Sequence, residues 1–138
     1  MKILWISHLI PYPPKGGVLQ RSYNLLAETS KYHDVDLVAF NQTALMLTNF
    51  SSNEAGIEEA SKQLSKLCKN IKIFDIPCEY KKHGKASLAF LSLFSTNTYT
   101  VNWLKSNEAH SYFSSKDISN TSYDAVICDT ISLAPYAD

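Results

Sequence analysis

The chain has 138 residues, of which 45% are hydrophobic and 12% aromatic, a composition that excludes intrinsic disorder and suffices for one ordinary domain. The 13 basic and 13 acidic residues cancel, which excludes a general attraction to nucleic acid. No apolar run approaches the roughly 20 residues that span a bilayer, and the N-terminus lacks the cleavage pattern of a signal peptide. The sequence therefore predicts a cytoplasmic protein whose 3 cysteines are reduced and mostly structural.

The first predicted element is a buried strand followed by a stiff turn. Residues 2–7 are apolar except at their ends and show no alternation, which is typical of a strand covered on both faces of a parallel sheet. The prolines that follow exclude a helix and restrict the residues before them to extended conformations; they are Pro11, Pro13 and Pro14.

A glycine pair, Gly16 and Gly17, separates this turn from a helical pattern over 18–32. Two glycines let the backbone approach a ligand and leave the first N–H groups of the helix unscreened, which suits an anion such as a phosphate. Arg21, one turn into the helix, adds a positive charge. The alternative, that proline and glycine only shape a strand-to-helix turn, explains the pattern equally well.

Strands and helices then alternate. A second strand is expected over 35–40, and residues 41–51 read as a loop with one helical turn. A capping box at Ser51 and Glu54 opens a helix that ends near Cys68, and a third strand covers 71–76. This order predicts an α/β fold of the Rossmann-like type, with three α/β/α layers, a mostly parallel sheet and right-handed crossovers.

The second half departs from simple alternation. Residues 79–85 form a lysine-rich connector, 86–94 a very apolar helix, and 100–113 a further helix. A fourth strand is expected over 123–129, followed by a turn and a helix over 130–138. The lysines and the apolar helix together, over 81–94, suit peripheral docking on the inner face of an anionic membrane. Packing of the helix in the core is the favoured alternative.

Several familiar chemistries are excluded by their missing motifs. The dinucleotide fingerprint needs G-x-G-x-x-G and an acidic residue at the end of the second strand, where this chain has Phe40, Asn41 and Gln42. There is also no phosphate-binding G-x-x-x-x-G-K-[ST] and no G-x-S-x-G nucleophile elbow. A nicotinamide cofactor, P-loop chemistry and an α/β-hydrolase are therefore not expected.

The motifs that remain resemble a known family. The run P-Y-P-P-K-G-G-V-x-x-R-x-x-N-L-L over 11–26, the H-D-V-D-L-V run over 33–38 and the Y-D-A-V-I-C-D-T run over 123–130 occur in matching order. Together they are similar to the start of a family 4 glycosyltransferase of bacterial polysaccharide assembly. Such enzymes have the GT-B architecture, two Rossmann-like domains facing each other across a cleft. The resemblance implies that residues 1–138 are the N-terminal, acceptor-side domain.

The resemblance also implies an activity. The parent enzyme would move a sugar from a nucleotide-sugar donor to a hydroxyl of a polysaccharide or lipid-linked acceptor, with retention of configuration. The donor-binding C-terminal domain, which carries a paired-glutamate motif, is absent from this sequence, so the fragment alone is expected to be inactive. No cofactor is implied beyond the donor substrate, and no metal site is expected.

The family pattern assigns roles to a few residues of this chain. Gly16 and Gly17 match the glycine loop that lies against the donor diphosphate, with Arg21 beside it. Asp129 and Thr130 match the end of a strand where many relatives place a histidine that contacts the donor sugar.

His8, at the end of the first strand, could face the same cleft, or it could be a loop histidine bonded to a nearby carbonyl. His8 and Asp129 are thus the catalytic candidates. A free-standing phosphate- or nucleotide-binding module without catalysis is the competing interpretation.

Overall fold

The computed structural model describes residues 1–80, 84–115, 118 and 121–137. Its centre is a four-stranded sheet in the order β3-β2-β1-β4, in which every pairing is parallel. The strands are β1 (Lys2–Ser7), β2 (Asp34–Asn41), β3 (Asn70–Asp75) and β4 (Ala125–Cys128). The predicted α/β, Rossmann-like class of fold is confirmed.

The described helices are α1 (Gly17–Ser30), α2 (Thr43–Leu47), α3 (Asn53–Leu64), α4 (Gly84–Ser92), α5 (Tyr99–Trp103) and α6 (Asn107–Phe113), with 3₁₀ turns at Pro77–Glu79 and Ile131–Tyr136. They cover both faces of the sheet, which gives three layers. One buried cluster packs Leu26 of α1 and Leu64 of α3 against Trp5 and Leu37. The other packs Leu104, Ala109 and Leu133 against the opposite face.

The parallel register of the strands explains why their carboxyl ends lie close together. Trp5 of β1 lies between Leu37 of β2 and Ile127 of β4, and β3 continues the same direction beside β2. Because parallel strands all point one way, their carboxyl ends form one edge of the sheet, the position at which open α/β sheets bind ligands. His8 and Asp129, which directly follow β1 and β4, are therefore close neighbours although 121 positions separate them in the chain.

The opposite, amino edge of the sheet is held by a polar cluster around Asp36. Its carboxylate receives hydrogen bonds from the Asn70 amide at 2.7 Å and the Tyr123 hydroxyl at 3.0 Å, and the Lys2 ammonium lies 3.7 Å away. Burial, followed by the hydrogen bond to Asp36, raises the pKa of the Tyr123 phenol. The adjacent Asp124 carboxylate accepts the backbone N–H of Lys2 at 2.6 Å. These contacts join all four strands.

Helix α1 differs from the prediction in its bounds and in the side chains that it buries. It spans Gly17–Ser30 rather than 18–32, and it buries Leu19, Ser22 and Leu26. Val18 and Leu25, which the periodicity places on the buried face, are 58% and 49% exposed. Both side chains line a cavity instead of filling the core.

The capping box is displaced by one residue. Helix α3 begins at Asn53, and its N-cap is Ser52, whose hydroxyl accepts the Ala55 N–H at 3.1 Å. Ser51, the predicted cap, precedes it. Cys68 lies beyond the helix end but is buried, as its apolar setting predicts.

The helix expected over 100–113 is two helices, α5 and α6, because a side chain of another element interrupts it. The Tyr136 hydroxyl accepts the Ser106 N–H and donates to the Leu104 carbonyl, both at 2.9 Å. Ser106 then caps α6 through the Ala109 N–H. The helix expected over 130–138 is the 3₁₀ turn Ile131–Tyr136.

Core packing of the apolar helix, the favoured expectation, is wrong. Helix α4 and the two residues that follow it leave four large side chains in solvent, 63–80% exposed: Phe90, Leu91, Leu93 and Phe94. Lys85 at its start is also exposed and lies 3.3 Å from the Glu79 carboxylate. Lys81 and Lys82, the other cations of the expected membrane contact, lie outside the described residues.

Candidate functional site

A cavity of about 480 Å³ lies at the carboxyl edge of the sheet, between helix α1 and the ends of β1 and β4. The cavity lies between the ends of parallel strands and the start of a helix, because the proline segment separates the end of β1 from the beginning of α1. The side chains and backbone that matter for chemistry are Trp5, His8, Gly17, Arg21, Cys128 and Asp129.

His8 and Asp129 form a hydrogen-bonded pair in this cavity. The Asp129 Oδ1 atom lies 2.9 Å from His8 Nδ1 and accepts the His8 backbone N–H at 3.0 Å. Its Oδ2 atom accepts the Ser7 hydroxyl at 2.6 Å. Ser7 is fully buried, and the side chain of Asp129 is 8% exposed against 24% for His8. The carboxylate is thus held by three donors from β1 and its following residue.

Backbone hydrogen bonds fix both partners in place. The Asp129 N–H donates to the Ile6 carbonyl at 3.1 Å and so extends the pairing of β4 with β1 by one step. The His8 carbonyl accepts the Gln42 side-chain amide at 2.9 Å, which ties the same turn to the end of β2. A residue that follows a parallel strand directly has little freedom, so the pair is preorganised by the sheet.

The start of α1 supplies hydrogen-bond donors. Gly16 is its N-cap, with φ 79° and ψ 163°, and it contributes no side-chain cap. A Cβ atom built on Gly16 or Gly17 would meet no atom within 4 Å, so the space beside the first turn is open. The first N–H groups of a helix have no partner within it, and the positive end of the helix dipole lies there.

Two further cationic or donor groups in the cavity lack partners. Arg21 is exposed and forms no ion pair within the residues that the structure describes. The indole N–H of Trp5 is buried, with the side chain 4% exposed overall, and finds no acceptor in the described part of the chain. A buried donor without an acceptor costs free energy, on the order of 1–3 kcal/mol, unless a water or ligand accepts its proton.

The cavity brings together four of the six residues proposed from the sequence: His8, Gly17, Arg21 and Asp129. Gly16 shapes the turn beside it. Thr130 does not line it; its hydroxyl caps the 3₁₀ turn by accepting the Ser132 N–H at 3.4 Å.

Sequence reasoning missed Trp5 and Ser7 as part of the site. Trp5 lies in a strand whose apolar residues show no alternation. The pattern therefore does not show which residue of the strand has a polar atom facing a ligand. Ser7 ends that strand, and its polar side chain was the available signal. Cys128 also lines the cavity, but burial and the nearby Asp129 charge raise the pKa of its thiol, which makes it a poor nucleophile.

A larger cavity of about 610 Å³ lies next to the end of β3. Some of its polar groups are paired: Asp75 Oδ1 accepts the Asn41 amide at 2.8 Å and the Tyr80 hydroxyl at 3.0 Å. The buried indole N–H of Trp103, which also lines this cavity, finds no acceptor in the described part of the chain. Burial raises the pKa of the Tyr80 phenol. Among the described residues, two acidic side chains, Asp75 and Glu108, line it together with one cation, Lys105. The smaller cavity is lined by Arg21, the start of α1 and one carboxylate, that of Asp129, and is the better candidate for an anionic ligand.

Residues 1–80, 84–115, 118 and 121–137 contain no cluster of three or more His, Cys, Asp or Glu side chains able to hold a metal ion. None of the helices among them has the length and apolar character needed to cross a membrane. Comparison of the chain with models of protein families, with curated proteins and with solved structures finds no match. The geometry of the cavity is therefore the basis for any statement about function.

Proposed function

We propose that the chain is the N-terminal, acceptor-side domain of a glycosyltransferase that moves a sugar from a nucleotide-sugar donor to a hydroxyl acceptor. The observation that supports this most is the grouping of Gly17, Arg21, His8 and Asp129 around one cavity at the carboxyl edge of a parallel sheet. Gly17 and Arg21 belong to the first of the three runs that resemble the retaining family 4 enzymes, and Asp129 belongs to the third, while His8 precedes the first run.

Each group has a physical role in this proposal. The leaving diphosphate gains negative charge as the bond to the sugar breaks, and the N–H groups at the start of α1 stabilise that charge from fixed positions. Arg21 adds a cation that no carboxylate of the described chain neutralises. The pair of His8 and Asp129 faces the sugar. A metal ion is not required in this scheme, because the cationic groups belong to the protein.

A second domain that completes the cleft belongs to the same proposal. The donor is held mainly by a second, C-terminal domain, so the isolated chain binds nucleotide-sugars weakly and does not catalyse transfer. Strand β4 is at the edge of the sheet, with Val126 44% exposed, which leaves room for further strands of the parent protein. A reading frame that continues with a second α/β domain containing paired glutamates supports the proposal, and one that stops near Asp138 contradicts it.

Calorimetric titration of the chain with UDP, a nucleoside diphosphate, tests the anion site. Arg21→Ala is expected to weaken binding by about three- to tenfold, the effect of losing one charge-assisted hydrogen bond. Lys31→Ala is the matched control, because it removes the same charge from the other end of α1, where Lys31 pairs with Glu28 at 2.6 Å. Equal losses in the two variants would refute a specific role for Arg21.

The competing function, a free-standing phosphate- or nucleotide-binding module, makes a different prediction. Tight binding of nucleotide-sugars by the isolated chain, abolished by Gly17→Val, favours the module. The Gly17→Val side chain has room in the folded protein, since no atom lies within 4 Å of a Cβ at that position, so lost binding would report a blocked approach to the helix start.

The exposed apolar face of α4 adds a peripheral membrane contact to this function, at a bilayer with anionic headgroups. The cation that complements such headgroups in the described chain is Lys85, at the start of that face, and the sequence places Lys81 and Lys82 just before it. Burial of exposed aromatic and leucine side chains in the interface supplies the apolar part of the binding energy. Lipid-linked acceptors reside at such a surface.

Sedimentation with vesicles of phosphatidylglycerol and phosphatidylcholine tests this contact at low and moderate salt. Phe94→Ser is expected to reduce the bound fraction severalfold, whereas Ile131→Ser is a matched control, since both side chains are at least 80% exposed. Absence of binding at low salt contradicts the membrane contact.

A further inference from the structure

Three donors hold the Asp129 carboxylate in place. Both of its oxygens are engaged, Oδ2 by the Ser7 hydroxyl at 2.6 Å and Oδ1 by the backbone N–H and the Nδ1 atom of His8. Its side chain is 8% exposed. A carboxylate held this firmly acts on a ligand through the neighbouring side chain, here His8.

The contact with Asp129 decides where the His8 ring carries its proton. Two acceptors cannot face each other at 2.9 Å, so the nitrogen beside the carboxylate, Nδ1, is the donor. In the neutral ring Nε2 is then an acceptor, and it has no hydrogen-bond partner within the described residues. The same arrangement, a carboxylate that orients a histidine, sets the tautomer of many histidine ligands.

We infer that Asp129 is a positioning residue that holds the His8 proton on Nδ1, so that Nε2 accepts a hydrogen bond from a hydroxyl group of the ligand. The other groups of the cavity without partners, the Arg21 guanidinium and the Trp5 indole N–H, are donors. The cavity therefore fits a ligand that both accepts hydrogen bonds and carries a hydroxyl group. A sugar phosphate has this chemistry. The identity of this ligand rests on the proposed function, and the tautomer does not.

Nuclear magnetic resonance of the chain labelled with ¹⁵N-histidine tests the tautomer without any ligand. Once the pH is raised until the ring is neutral, the expected spectrum shows His8 with a protonated Nδ1 and an unprotonated Nε2. Asp129→Ala is expected to shift the proton toward Nε2, while Ser7→Ala, which leaves the Oδ1 contact intact, does not. A wild-type spectrum with the proton on Nε2 overturns the inference, even where Asp129→Ala does not fold.

Titration with glucose 1-phosphate and with inorganic phosphate tests the hydroxyl contact. Wild-type protein is expected to prefer the sugar phosphate by about fivefold, the effect of one neutral hydrogen bond. His8→Asn, which keeps a donor toward Asp129 but lacks Nε2, abolishes that preference, and His8→Gln, with an acceptor oxygen farther out, restores part of it. Equal wild-type affinities overturn the hydroxyl role alone. Binding of neither compound, with the Nδ1 proton present, overturns the hydroxyl role and leaves the tautomer standing, whereas failure of the proposed function shows separately as a reading frame that stops near Asp138.

Discussion

The two glycines at the start of α1, Gly16 and Gly17, are predicted to respond in opposite ways to substitution by alanine. Gly16 has φ 79° and ψ 163°, a backbone region that side chains with a Cβ rarely adopt. Holding a residue there costs on the order of 1–3 kcal/mol. Gly17 is the first residue of the helix, without a positive φ, and a Cβ there meets no atom within 4 Å. Gly17→Ala is therefore expected to be neutral or to stabilise by up to about 1 kcal/mol.

Urea unfolding followed by circular dichroism measures both variants. Gly16→Ala is expected to lower the free energy of unfolding by roughly 1–3 kcal/mol, so the two variants differ by at least about 1 kcal/mol. No steric clash contributes, because both positions face open space, and the difference isolates backbone strain. Equal stabilities of Gly16→Ala and Gly17→Ala would refute the argument, since they would show that the turn relaxes at no cost.

Three further predictions concern the stability of the fold. Tyr123→Phe removes one hydrogen bond to the buried Asp36 carboxylate and is expected to cost about 1–3 kcal/mol in urea unfolding. Gly56→Ala places a Cβ 2.8 Å from Met46 Cε and is expected to cost about 1–3 kcal/mol or shift the packing of α2, measured in the same way. Burial raises the pKa of the Cys68 thiol from 9.0 to about 12. Between these values the unfolded chain releases its proton first, so stability falls by about 1.4 kcal/mol per pH unit, a slope that Cys68→Ala removes.

The sequence predicts the first half of the fold well because local patterns there agree with the tertiary structure. Continuous apolar runs mark β1 and β2, and glycine marks the start of α1 within one residue. The second half is less predictable. No proline or glycine breaks residues 100–113; the helix ends because a distant side chain, Tyr136, bonds the backbone at Leu104 and Ser106. Apolar composition likewise cannot tell an exposed helix such as α4 from a buried one.

The candidate site shows the same limit. Gly17 and Arg21 are visible as a local turn-and-helix pattern, and the physical argument for an anion needs only those residues. The pairing of His8 with Asp129 depends on the register of β1 against β4, in which Ile6 lies opposite Cys128. No periodicity within either strand encodes that alignment. The sequence therefore identifies His8 and Asp129 as candidates but does not show that Asp129 orients His8.

The motif residues that suggested a glycosyltransferase lie at two ends of the sheet and carry different information. Asp36, Tyr123 and Asp124 bind one another or the start of β1 at the amino edge, so any protein with this strand order gains stability from them. Their presence is evidence about the fold. Arg21 and Asp129 lie at the carboxyl edge and make no contact with that cluster in the described chain. Changes at Tyr123 should therefore lower the free energy of unfolding without altering phosphate affinity at saturating folded protein, and Arg21→Ala should do the reverse. Only the result for Arg21→Ala bears on sugar transfer.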